Sequence, residues 1–314
     1  MSKLNLINPL LSLFLLSYAG GATAQDSKKS IDKSDSYYTI SHSYLTGDTT
    51  YKIGGLVCYP NNCIRTFFPF SVLEFPIDLL MVNVAGFKRN LGRFTLGIGI
   101  SKSIASRTGV FRNSDYFYEP GNTRDIYSES KSNAKATIIS MDLEAPWAKH
   151  PNGNRTFYGI NFYARSLSFE IRDTDQVSNV PGFCTCKVSG TTIKYDISYF
   201  IPSLYIRTQT WVSDKFDLSF KLAFSPLTMV IDKDQHVVRG RTLNGLLYGE
   251  SYSFEILSKV HLSKTLDLVL SVSSLLIDTE GTQTQTEPGQ PNIEVDETVD
   301  SVQHSLGIAL QFSL

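Results

Sequence analysis

Apolar and polar residues alternate along most of this chain. Phe94, Leu96, Ile98 and Ile100 alternate with Thr95, Gly97 and Gly99. Thr137, Ile139, Met141 and Leu143 alternate with Ile138, Ser140, Asp142 and Glu144. Phe216, Leu218, Phe220, Leu222 and Phe224 alternate with Asp217, Ser219, Lys221, Ala223 and Ser225. The same period recurs over 252–262 and 306–314. A period of two sends successive side chains to opposite faces of an extended strand. Ten strands are predicted, at about 36–46, 70–87, 92–104, 135–147, 155–171, 192–210, 215–229, 247–262, 265–279 and 302–314.

The two faces differ in kind. One is apolar; the other carries Asp142, Glu144, Lys221, Glu255 and Lys259. Strands of a soluble sandwich also alternate, but they are typically shorter. A barrel in lipid needs an apolar outside and tolerates a polar interior. Connections alternate too: short at 88–91, 148–154, 212–214 and 263–264, long at 46–69, 105–134, 172–191, 230–246 and 280–301. Bacterial outer-membrane barrels have short periplasmic turns and long external loops. The predicted fold is therefore all-β, a ten-stranded antiparallel transmembrane β-barrel over residues 36–314 with long extracellular loops. Pro76 and Pro202 interrupt strand patterns, and the apolar phase shifts after Pro202; bulges or bends are expected there. Trp147 and Trp211, at strand ends, read as interfacial belt residues.

Composition narrows the function. Twenty-nine basic and 30 acidic side chains give a net charge of -1, which offers no case for nucleic-acid binding. Residues 1–24 read as a signal peptide, with Lys3, an apolar core over 9–18 and Ala22-Thr23-Ala24 at the cleavage positions. Residues 25–35 form a polar, flexible leader. Export implies an oxidising compartment for the four cysteines. Cys58 and Cys63 share one expected loop, and Cys184 and Cys186 another, without histidines to suggest metal. Four cysteines allow three pairings. A local Cys58–Cys63 staple is favoured; Cys184–Cys186 would close a strained small ring, so cross-loop bridges stay open.

Candidate chemistry sits in Asp232-Lys233-Asp234-Gln235-His236. In extended chain Asp232, Asp234 and His236 share a face. A carboxylate beside an imidazole favours imidazolium and fixes the ring, which is half of a general-base site. The bland alternative is a polar loop with a solvated histidine. Asn113 and Asp115 lie in another expected long loop of the same rim, where the two pairs meet over the lumen. His42, His150, His261 and His304 read as structural, and no nucleophilic serine motif, phosphate loop or metal cluster is present.

With these residues placed, the chain resembles the omptins, ten-stranded outer-membrane endopeptidases of Gram-negative bacteria. The likeness runs from about Tyr37 to Leu314. Ser41 to Thr49 resembles the family's first strand and loop entry. Ser106-Arg107-Thr108-Gly109 followed by Asn113-Ser114-Asp115-Tyr116 resembles its Ser-Arg-Gly-Gly and Asp-x-Asp-Trp. Asp234-Gln235-His236 resembles its Asp-x-His. The resemblance implies His236 as the base, Asp234 as its orienting partner and Asp115 as a supporting acid. Asn113 stands where the family has its water-binding Asp, and an amide oxygen positions water but cannot take its proton at neutral pH. Asp232 matches one acid of the family's basic-residue pocket; Tyr51 replaces the other, which weakens the preference for Arg or Lys.

The resemblance also implies lipopolysaccharide as an activating lipid. The corresponding segment, 162–169, carries only Arg165, one position out of register and so on the other face. No other cofactor is expected. The expected partners are outer-membrane lipid and peptide or host surface protein substrates, met as a monomer with loops outside the cell. Two functions follow: a surface endopeptidase of reduced or lost activity, or a silent barrel serving as adhesin or structural protein. A diffusion porin is disfavoured, because ten strands enclose a narrow lumen that inward charges fill.

Overall fold

The computed structural model describes residues 36–117, 124–151 and 153–314; the expected signal peptide and leader lie outside them. Every described element is a strand or a connection between strands. The strands are β1 (Ser36–Tyr59), β2 (Asn62–Arg65), β3 (Ser71–Leu91), β4 (Phe94–Ser106), β5 (Gly109–Asp115), β6 (Ile126–Lys149), β7 (Arg155–Ser178), β8 (Cys186–Ser213), β9 (Phe216–His236), β10 (Arg241–His261), β11 (Leu266–Thr286) and β12 (Ile293–Ser313). All pair antiparallel in one sheet, and β1 closes it by pairing both β12 and β3. The short β2 folds back on β1 alone, with Cys58 opposite Cys63. β4 and β5 share the neighbours β3 and β6, so they are two halves of one stave broken at Arg107-Thr108. Twelve strands, with β2 set aside and β4 and β5 counted together, thus make a ring of ten staves.

The long loops of the sequence reading are mostly strand. The β9–β10 connection is only 237–240, and β11–β12 only 287–292. β8 alone runs 28 residues. Expected strands ended where the outward apolar residues ended, but the ladder continues past them. Ile40, Val84, Ile100, Ile139, Ile160, Leu204, Val272 and Ile308 form an exposed apolar belt around the barrel. Such a belt fits the hydrocarbon of a bilayer. Beyond it the outward positions become Glu129, Lys131, Glu170, Lys194, Lys233 and Glu280.

The interior changes in the opposite sense. Next to the belt it is polar; beyond the belt it is apolar. β8 shows the exchange without changing phase. Tyr195, Ile197, Tyr199 and Ile201 point inward and are buried, while Leu204 and Ile206 point outward. The apparent phase shift after Pro202 is therefore an exchange of surroundings, water for lipid, and not a bulge in β8 itself. A ladder irregularity does exist beside it, toward β9, between Phe200 and Leu204. Pro76 likewise faces the broken stave between β4 and β5, where no partner needs its missing N–H.

Three levels fill much of the lumen. Toward one rim, Phe75 stacks on Tyr195 at 4.3 Å between centroids, with Phe111 at 4.8 Å and Phe169 at 5.2 Å from Phe75. Lower, Arg207 grips Glu144 through Nε (2.7 Å) and Nη2 (2.6 Å), and Lys221 meets Asp142 at 2.7 Å. Near the rim that holds the chain's described ends, His261 is braced by Asp267 at 2.7 Å and Asp217 at 3.2 Å, a structural histidine as expected. Trp147 and Trp211 are exposed at this end. Both disulfides lie at the opposite rim. Cys58–Cys63 is the favoured staple; Cys184 pairs with Cys186, closing the small ring that the sequence reading held against it. That pairing leaves no free cysteine for a cross-loop bridge.

Candidate active site

Asp232, Asp234 and His236 lie on β9 itself, in alternate inward positions, and not in a loop. The ladder to β8 and β10 holds their spacing: Asp234 pairs with Tyr195 and Leu243, and His236 with Ile193 and Arg241. His236 Nε2 lies 3.1 Å from Asp234 Oδ2. With Nε2–H donated there, Nδ1 is the basic atom of the ring. Asp234 is buried while the imidazole keeps partial access to solvent.

The second pair ends β5. Asn113 Nδ2 donates to Asp115 Oδ2 at 3.1 Å, and the Ser71 hydroxyl donates to Asp115 Oδ1 at 2.5 Å. Ser71 also lies 3.3 Å from Asn113 Oδ1. Both oxygens of Asp115 are thus fixed, and the amide at 113 serves as a brace. Burial pushes the Asp115 carboxyl above its ordinary value. The Ser71 and Asn113 hydrogen bonds, and the charges of Arg239 and His236, pull it partly back. β5 and β9 stand four staves apart in the ring, so the field of His236 at Asp115 acts across the lumen. The two pairs therefore face each other at one rim.

The expected substrate-binding residues are deeper. Asp232 is 5% exposed and accepts a hydrogen bond from the Tyr195 hydroxyl at 2.9 Å. Tyr51 is 1% exposed, stacks on Tyr195 at 5.7 Å and receives a long bond from Gln283 Nε2 at 3.4 Å. Burial raises the Tyr51 hydroxyl well above its usual range, helped by the carboxyls of Asp234, Glu297 and Asp232.

Glu297 and Ser71 escaped the sequence reading because the predicted strands stopped at 302 and treated Ser71 only as a strand start. Extending the alternation Val295, Glu297, Val299 would have put Glu297 inside. It is 1% exposed, next to Asp232. A Cβ at Gly245 would lie 2.3 Å from both Asp232 Oδ1 and Glu297 Oε2, so only glycine leaves room for the two carboxyls. Burial, then the neighbouring Asp232 and Asp234, hold Glu297 well above the normal carboxyl range; burial also raises Asp232. The acids coexist by keeping a proton. A carboxyl raised by folding favours the folded state below its unfolded pKa and loses that contribution as pH rises. Glu297→Gln is therefore expected to raise the thermal midpoint at pH 8 and leave it nearly unchanged at pH 4. Equal effects at both pH values would mean that no proton is retained there.

No family model and no curated relative matches the sequence. Among solved structures, the outer membrane protease OmpT of Escherichia coli superposes with a TM-score of 0.76 at 13% identity, covering 92% of this chain and 99% of that one. The chain has the omptin fold. OprG of Pseudomonas aeruginosa scores 0.37 at 10% identity, over 90% of this chain and 98% of that one. The translocator domain of NalP from Neisseria meningitidis scores 0.36 at 9% identity, over 98% and 95%. Within this fold, the chain sets a fixed Asp115 and a histidine–aspartate couple at one rim. Among the described residues no group of three histidine, cysteine or acidic side chains is arranged to hold a metal ion.

Proposed function

We propose that this chain is an omptin-like endopeptidase of the bacterial outer membrane, with the rim bearing His236 outside the cell. The observation that supports it most is the His236–Asp234 couple facing Asp115. His236 Nδ1 takes a proton from water as the water attacks a peptide carbonyl, and Asp234 holds the ring and stabilises the imidazolium. Asp115 stabilises the positive ring from the far side, with Asn113 and Ser71 fixing it. The buried acids Asp232, Asp234 and Glu297, which share a retained proton, leave this rim a net negative interior, which favours a basic side chain in the substrate.

Refolded mature protein should cleave peptides with Arg-Arg or Lys-Arg centres slowly, assayed with and without lipopolysaccharide. His236→Ala should lower that rate by roughly two to four orders of magnitude. Because Asp115 acts ionised and its pKa is raised, the rate should climb with pH through a range above about 3.9, the ordinary Asp value. Asp115→Asn should remove that limb. Cleavage that ignores His236→Ala would locate the chemistry elsewhere. The neutral amide at 113 and the capping of Asp232 by Tyr195 favour a second reading, a silent barrel used as adhesin or structural protein. Absence of cleavage in every condition would select it.

A further inference from the structure

Between the aromatic level and the ion pairs the lumen holds a cavity of about 160 Å³, walled by Ser41, Ser43, Asn83, Tyr163, Arg165 and Glu255 among others. Allowing roughly 10–15 Å³ per solvent site, it is large enough for several waters or for an ion with part of its shell. Arg165 gives it a charge. Sequence register placed this side chain on the face away from lipid, and the structure has it in the lumen, reaching Gln303 of β12.

A guanidinium stays charged at any accessible pH, and taking it out of water costs several kcal/mol unless something compensates. Two neighbouring lumen cations are compensated: Arg207 and Lys221 each hold a carboxylate within 2.7 Å. Arg165 does not. Its Nη1 donates to the neutral Gln303 Oε1 at 2.5 Å, and its buried Nε has no partner. The Tyr163 ring lies 5.6 Å from the guanidinium carbon, a weak cation–π contact. The groups acting on its charge are Tyr163 and Tyr199, with no carboxylate among them. Glu255 shares the cavity wall, but the cations acting on it are Lys221 and Arg207.

The hydroxyls on the wall complete the pattern. Asn83 Nδ2 donates to Ser41 Oγ at 2.9 Å and to Ser43 Oγ at 3.1 Å. Each of these oxygens is therefore engaged as an acceptor, and its own proton is free to turn toward the cavity. A guanidinium edge and two hydroxyl donors, with the wall's acid Glu255 facing Lys221 and Arg207 and not this guanidinium, are complementary to a small anion. We propose that this cavity binds a monovalent inorganic anion of halide type, held by Arg165 with Ser41 and Ser43. The anion supplies the missing counter-charge. It also steadies the Arg165–Gln303 bond, and Gln303 in turn reaches Ser301 at 3.1 Å, beside Thr49 under the aromatic level.

Bromide is the probe. Crystals of the refolded mature protein, soaked in molar bromide, should show an anomalous peak within hydrogen-bond reach of the Arg165 guanidinium. In detergent solution, replacing gluconate by bromide at constant ionic strength should raise the thermal midpoint saturably, by about 3 °C or more. Arg165→Met should lose both signals, while Glu255→Gln, on the same wall, should keep them. Should Arg165→Met fail to fold, the wild-type anomalous map decides alone. A cavity holding only water in molar bromide, or a midpoint indifferent to the exchange, overturns the proposal.

Discussion

Asn113→Asp should raise cleavage of dibasic peptides at least tenfold over the wild-type barrel, or about 1.4 kcal/mol of barrier. Asn113 stands at hydrogen-bond distance from Asp115, so the substitution places two carboxyls about 3.1 Å apart. Like charges that close do not both ionise, and one keeps a proton near neutral pH. The pair then carries the same net charge as ionised Asp115 beside Asn113, but places at 113 a carboxyl oxygen that both orients water and can take its proton, which an amide cannot. His236→Ala in the Asn113→Asp background should abolish the gain, because both groups act on one water. The acid limb of the rate profile should also move upward, since the added carboxyl further raises the pair. A correctly folded Asn113→Asp barrel with no gain would show that this rim no longer supports hydrolysis, and the adhesin or structural role would follow.

Glu144→Gln should destabilise the barrel by about 3–5 kcal/mol, the usual cost of stranding one member of a buried ion pair. Arg207 spends Nε and Nη2 on Glu144, and the pair is mostly shielded from solvent. The substitution leaves that guanidinium with one neutral amide oxygen, Ser219 and the Phe157 ring, and no counter-charge in contact. Glu144→Leu combined with Arg207→Met should recover most of the loss, because both charges leave together. Unfolding in urea from lipid vesicles would measure the cycle. A single substitution within about 1 kcal/mol of wild type, the range of surface pairs, would mean that water reaches the lumen freely.

Neither substitution touches the outward belt, and the belt was what the sequence displayed best. Alternation over 94–100, 216–224 and 306–314 established strands with one apolar face and one small, polar or charged face, because lipid selects every second residue. The inward placement of Asp142, Glu144, Lys221 and Glu255 followed from that period, chain closure from the period together with the alternation of connection lengths, and the inward turn of Arg165 from its register against the omptin segment. The candidate pairs 113/115 and 234/236 were legible as well, since two-residue spacing puts such side chains on one face of an extended chain.

What alternation hid was the upper half of each stave. Beyond the bilayer the solvent on the outer face is water, so apolar residues such as Tyr195, Ile197 and Phe75 move inside and charged ones move out. The ladder is continuous, but its chemistry inverts, and the inversion resembles a strand end or a loop. Tertiary structure alone decided what that inversion builds. It set Glu297 beside Asp232 over Gly245 and made Asn113 a brace for Asp115. It left Arg165 facing a cavity with no carboxylate bonded to its guanidinium. Each of these is a meeting between staves far apart in sequence. Residue spacing along one strand fixes direction, while the partner across a lumen is set by closure of the ring.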